Sequence, residues 1–117
     1  MRFMPSEPAR AALLDIRHHI DLAFRLSEGF GEAAFLADVR TLYAVVRFLE
    51  IISEASRRLP AELKARHPGI AWRNIAAAGN VYRHEYEDLS PKLVWDTVEL
   101  ALQPLREAVE RELGTEA

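Results

Sequence analysis

No cysteine occurs among the 117 residues, which excludes disulfides and thiolate metal sites and suits a reducing compartment. A chain of this length buries roughly two-thirds of the surface it exposes when unfolded, enough for a core without covalent staples. Long apolar runs are lacking too, and nothing approaches the ~18 uninterrupted residues of a membrane span. The opening MRFMPSEPAR is broken at once by proline and charge, so no signal-type segment is expected. These absences make a cytoplasmic protein with no membrane association the expectation. Nor is positive charge in excess. Fifteen Lys and Arg against eighteen Asp and Glu leave a net charge of −3, which excludes a globally basic nucleic-acid binder but not one local RNA site. Alternating strand patterns and internal repeats are absent as well.

What is present is helical periodicity, cut by a few glycines and prolines. Leu13, Ile16, Ile20, Ala23 and Phe24 form an apolar stripe that predicts a first helix from about Pro8 to Ser27, closed by Gly29 and Gly31. Phe35, Val39, Leu42, Val46 and Leu49 alternate spacings of four and three, which predicts one long helix from about Glu32 to Leu59. Pro60 ends it. PAELKARHPGI reads as a short helical turn and a connector. A third long helix is expected from about Ala71 to Glu85, with Ala76, Ala77, Ala78 and Gly79 allowing close approach of another backbone. Ser90-Pro91 is a start signal, a serine cap followed by proline at the first helical position. It opens a fourth helix that Pro104 is expected to kink and Gly114 to end. The expected fold is all-α: a single domain over residues 1–117, an antiparallel four-helix bundle with one short extra helix.

In this order and spacing, AVVRFLEIISEASRRLP, ELKARHPGIAWRNI, HEYEDL and VWDTVELALQPLREAVEREL resemble HepT-like proteins of the HEPN superfamily. The resemblance spans nearly the whole chain. It implies a helical bundle acting as a metal-independent ribonuclease toxin without cofactor, a homodimer, and an MntA-like nucleotidyltransferase as antitoxin. It also implies that this partner transfers AMP to a tyrosine, here Tyr86. The family motif is an arginine, four to six residues, then His-x-Tyr. His84 and Tyr86 match its second half, and Asn80 matches the asparagine that usually follows the arginine. The arginine itself is missing, because positions 77 to 79 are Ala77, Ala78 and Gly79.

Metal-independent RNA cleavage needs a base for the 2′-hydroxyl proton, an acid for the leaving oxygen and a cation for the charge on phosphorus. Histidine suits the proton transfers, its unperturbed pKa lying near 6.5. His84 is therefore the catalytic candidate, with Asn80 one helical turn earlier to orient it and Tyr86 to contact phosphate. The plain reading of the same residues is a helix-end histidine paired with Glu87 or Asp88. A guanidinium would have to come from outside the motif: Arg83 across a dimer cleft, or Arg47 from the second long helix. Arg73, some 16 Å along the helix from His84, is too far. Arg47, Glu50, Glu54, Arg57 and Arg58 read as a solvated face of ion pairs, whereas the resemblance implies that Arg47 and Glu54 border the cleft. Asp15, His18 and His19 make a poor metal site, and no metal is expected. Trp72 and Trp95 are expected in the core or an interface.

Two functions follow. One is a ribonuclease, weakened or lost because Gly79 stands where the arginine belongs. The other is a catalytically degenerate bundle that binds a nucleotidyltransferase, with Tyr86 kept as the AMP acceptor.

Overall fold

The computed structural model describes residues 5–84 and 90–114, and for residues 79–84 it describes the backbone alone. Helix α1 (Glu7–Ser27) starts at Ser6, whose side chain accepts from the Ala9 amide over 3.3 Å. It ends at a turn in which Gly29 takes φ 84°, a left-handed conformation that suits glycine. Its stripe of Leu13, Ile16, Ile20 and Ala23 is fully buried, as the spacing predicts.

The predicted long helix over 32–59 is two helices, α2 (Glu32–Ala37) and α3 (Val39–Arg57). Asp38 makes the break. Its backbone is extended, and its carboxylate accepts from the Thr41 amide over 3.1 Å, capping α3. Apolar period continues across the break and conceals it. Val39, at a predicted core position, is consequently 60 % exposed, whereas Phe35 on α2 is fully buried. The Phe35 ring lies 5.2 Å from that of Trp95 and 6.5 Å from that of Phe30, centroid to centroid.

Leu63 of the short α4 (Ala61–Ala65) plugs the core, and α5 (Trp72–His84) follows. Ser90 caps α6 (Pro91–Asp96) by accepting from the Leu93 amide over 3.2 Å. A π turn over Thr97–Ala101 leads directly into α7 (Leu102–Gly114). The distortion this helix shows is the π turn, which lies upstream of Pro104, where a kink is expected. Proline offers no N–H to the Leu100 carbonyl, and the ladder upstream widens, the Leu102 amide donating to Thr97.

Helix α1 packs between α3 and α7, and α5 packs on α3. The four long helical runs enclose one apolar cluster, and no strand forms among the described residues. The class is an all-helical bundle. Among the described residues no helix is long and apolar enough to cross a membrane.

Ion pairs tie the ends of the bundle. Arg106 grips Asp21 through Nε at 2.6 Å and Nη2 at 3.2 Å, and Arg17 reaches Glu110 at 3.0 Å. The hydrogen bond from Arg106 holds the Asp21 carboxyl below its ordinary range, against a smaller opposing effect of burial. Glu112 is held low in the same way, first by Arg66, against burial, and then by His67. Both carboxyls bind protons more weakly folded than unfolded. The stability they add is therefore complete above their unfolded values and is lost as pH falls through the lowered folded ones. The thermal midpoint should stay level from neutral pH down to about 5 and fall steeply below about 4. A midpoint that is unchanged at pH 3 would contradict this assignment.

Candidate functional site

Two side chains of α3 fix α5 at a single point. Ser53 Oγ donates to the Ala76 carbonyl over 3.0 Å, and Arg57 Nη1 donates to the same oxygen over 2.9 Å. Ser53 is buried among apolar neighbours, where a hydroxyl needs a partner, so this bond sets both rotation and depth of α5. The start of α5 is fixed separately. Trp72 Nε1 donates to the carbonyls of Lys64 and His67, each at 3.1 Å, while its ring packs on the core. Trp95 also packs on the core, so both tryptophans take the apolar role expected of them.

The turns around α4 send the chain back, and α5 runs antiparallel to α3. Arg57, at the C-terminal end of α3, meets the first half of α5. Leu49 and Ile52, earlier on α3, line a small apolar cavity together with Ile75 and Ala78. A rise of ~1.5 Å per residue places Asn80 about 6 Å and His84 about 12 Å beyond Ala76. The same distances lead back along α3 from Ser53 to Leu49 and Val45. The motif-bearing end of α5 is therefore level with the stretch of α3 that carries Arg47 and Glu50.

Arg47 Nη1 lies 4.0 Å from Glu50 Oε2, and their side chains are 67 % and 16 % exposed. Arg47 is thus a solvent-facing cation at the level of the motif, joined to a carboxylate that is largely covered. The side chains of Asn80, Arg83 and His84, and all of Tyr86, lie outside the described residues. The structure places the first three by their backbone positions on α5 only.

The polar stripe of α3 does more than face solvent. Arg57 pairs with Glu54 at 3.6 Å as the spacing suggests, yet it also reaches across to Ala76. Arg58 bonds to Asp15 of α1 at 3.0 Å. Asp15 is therefore engaged with an arginine, and its backbone carbonyl is bonded to His19 Nδ1 at 2.7 Å. Among the described residues no group of three or more His, Asp or Glu side chains is placed to hold a metal ion.

Sequence reasoning missed Ser53 as an anchor, although a serine inside an otherwise apolar stripe was a signal. It also missed a buried cluster at the other end of the bundle. Arg66 donates to Glu112 through Nε at 3.1 Å and Nη2 at 2.6 Å, and His67 Nε2 is hydrogen-bonded to the same carboxylate at 2.7 Å. Only tertiary structure brings together residues 45 positions apart. The cluster clamps the connector that launches α5 onto α7, and so supports the candidate site from behind.

The all-helical bundle agrees with comparisons to known proteins. The family model described as Ribonuclease HepT-like matches residues 16–112. The chain is 34 % identical over 99 residues to a probable ribonuclease HepT of Thermococcus cleftensis, covering 85 % of this chain and 90 % of that protein. It is 30 % identical to a putative RNase of Methanocaldococcus jannaschii, with 81 % and 78 % of the two chains covered. A putative RNase of Caldanaerobacter subterraneus is 32 % identical, with 76 % and 80 % covered. No solved structure matches the chain. The protein belongs to the HepT-like ribonuclease family of the HEPN superfamily.

Proposed function

We propose that this protein is a metal-independent endoribonuclease toxin that cleaves RNA by 2′-hydroxyl attack and is silenced by an MntA-like nucleotidyltransferase antitoxin. The observation that carries the reading is a family match over residues 16–112 that contains His84 and Tyr86 at motif spacing. His84 removes the 2′-hydroxyl proton and returns a proton to the 5′-leaving oxygen. Asn80, one turn back on α5, orients the ring, and Tyr86 contacts phosphate and is the AMP acceptor. Arg47, level with the motif on α3, supplies positive charge to the phosphate, and Arg83 does so from the partner subunit. The protein acts in the cytoplasm as a single-domain homodimer.

The second reading, a degenerate bundle that binds the nucleotidyltransferase without cutting RNA, is favoured by Gly79 at the arginine position. One experiment separates the two. Purified protein incubated with RNA in excess chelator should cleave it, and His84→Ala should lose at least about a hundredfold in rate. Cleavage that vanishes with chelator and survives in His84→Ala would overturn the mechanism. AMP transfer to Tyr86 with no cleavage at all would establish the second reading.

The dimer is supported by an exposed apolar face. Leu100 is 72 % and Leu93 49 % exposed, and both line a cleft of about 460 Å³ with Ile70, Ala71, Ala101 and Pro104. Burying this face against a second copy suits a specific interface of about 1,600 Å² in total. Light scattering at micromolar concentration should give the dimer mass for wild type and the monomer mass for Leu100→Arg. A wild-type monomer would rule the dimer out, and a Leu100→Arg dimer would rule out this face.

A further inference from the structure

Helix α3 uses its arginines in two ways. At its C-terminal end Arg57 bonds to the Ala76 carbonyl and Arg58 to Asp15, so both serve the fold. In its first half they do not. Arg40 is exposed and, among the described residues, has no hydrogen-bond or ion-pair partner. Arg47 has a 4.0 Å contact with Glu50, and its side chain stays 67 % exposed. Tyr43, between them in sequence, is 51 % exposed, and Val39, one turn before it, is 60 % exposed. Arg40, Tyr43 and Arg47 fall within an arc of about 60°, and the arginines lie ~10 Å apart along the helix axis. This face therefore carries a cation, a ring and a cation in a row. Tyr43 is on its α5 flank, in a direction about 40° from that of Arg57, which bonds to α5. Its backbone lies ~3 Å along the axis from that of Val45, which is level with the backbone of His84.

We infer that the first half of α3 is a platform for single-stranded RNA, with Tyr43 stacking on a base and Arg40 and Arg47 holding the phosphates on either side. The inference rests on the ribonuclease reading and specifies which form of RNA the site takes and where the strand runs. A tyrosine half out of water is ordinary by itself. Set between two exposed cations, it matches the two things a single strand offers, a free base face and a phosphate. A duplex keeps its bases stacked on one another, so the ring selects for single strands. The positive charge is local, on a chain whose net charge is −3. The acid nearest to Arg40 in sequence, Asp38, is engaged with the Thr41 amide. A second copy of the chain suits this face less well, because an isologous contact would bring like charges together. The exposed Leu93 and Leu100 carry no such penalty.

Fluorescence anisotropy with a labelled single-stranded RNA carrying 2′-O-methyl groups, which block 2′-hydroxyl attack, reads binding without cleavage. Tyr43→Ala should weaken binding by about tenfold, within the usual range for one stacked base, and leave the slope of log affinity against log salt unchanged. Tyr43→Phe keeps the ring and should bind within about twofold of wild type. Arg40→Gln should weaken binding several-fold and lower the salt slope by about 0.7, one phosphate on a single strand. On a strand of the same length with abasic sugars, Tyr43→Ala should cost nothing, because no base is there to stack. Wild type should bind a duplex of that length more weakly than the single strand. Circular dichroism on each variant establishes that it is folded. A Tyr43→Ala protein that binds the base-bearing strand as well as wild type would overturn the inference and leave the ribonuclease reading standing. Equal losses on the base-bearing and abasic strands, or an Arg40→Gln protein with unchanged affinity and slope, would do the same. Light scattering should give Tyr43→Ala the wild-type mass; a lower mass would identify this face as a protein contact and overturn the platform. Wild type that binds neither single strand nor duplex would overturn the RNA reading itself, and this inference with it.

Discussion

Replacing Glu112 with alanine should destabilise the protein by about 3–5 kcal/mol, the largest loss from any single charged residue described here. Glu112 is 7 % exposed, and its carboxylate accepts from Nε and Nη2 of Arg66 and is hydrogen-bonded to His67, whose side chain is as covered as its own. Removing it takes from a partly covered guanidinium and a buried imidazole the carboxylate that binds both. A native domain has only about 5–15 kcal/mol in total, so urea denaturation should show a midpoint shifted far down. The exposed pair Arg58–Asp15 provides the comparison, since its two side chains are 48 % and 49 % exposed. Asp15→Ala should cost less than about 1 kcal/mol. A Glu112→Ala loss as small as that would show that the cluster is solvated and does not clamp the connector before α5.

The second large effect concerns Gly79. Gly79→Arg should raise the rate of RNA cleavage by on the order of a hundredfold, the usual scale for one charge-stabilising donor. The new fork would sit one residue before Asn80, five before His84, at the spacing of the family motif. On a continuous helix its direction differs from that of His84 by about 140°, but the long stem can swing its guanidinium to a shared phosphate. Against the gain stands a packing cost of ~1–3 kcal/mol if α3 and α5 are too close for the stem. Thermal stability and dimer mass must therefore be measured on the same protein. A folded, dimeric Gly79→Arg with no gain in rate would show that the missing arginine does not limit catalysis. Strong cleavage by wild type would show the same from the other side, and would point to Arg83 or Arg47 as the replacement.

Much of the bundle could be read from residue spacing because burial and period coincide along α1 and the last helix. The stripe from Leu13 to Ala23 and the run Val98, Leu102, Leu105 and Val109 are buried in register with their sequence period. Legibility failed where a polar side chain overrode the period locally. Asp38 splits one apolar repeat into α2 and α3 by capping, and no periodicity argument registers a cap in mid-stripe. Pro104 announces a distortion but not its location, because the widened turn forms upstream where the carbonyls lose their donors. The candidate site was legible only as residue types, His84, Asn80 and Arg47, whose roles are proposals. Its geometry was not, because the register between α3 and α5 depends on two hydrogen bonds to a single carbonyl, from residues 23 and 19 positions away.

The most direct test of the account is the chemistry of the cut ends. RNA cleaved by the purified protein in chelator should carry a 2′,3′-cyclic phosphate on one fragment and a 5′-hydroxyl on the next, as attack by the neighbouring 2′-hydroxyl requires, and His84→Ala should yield neither. Fragments ending in a 3′-hydroxyl and a 5′-phosphate would mean that water, not the 2′-hydroxyl, is the nucleophile, and would contradict the role assigned to His84.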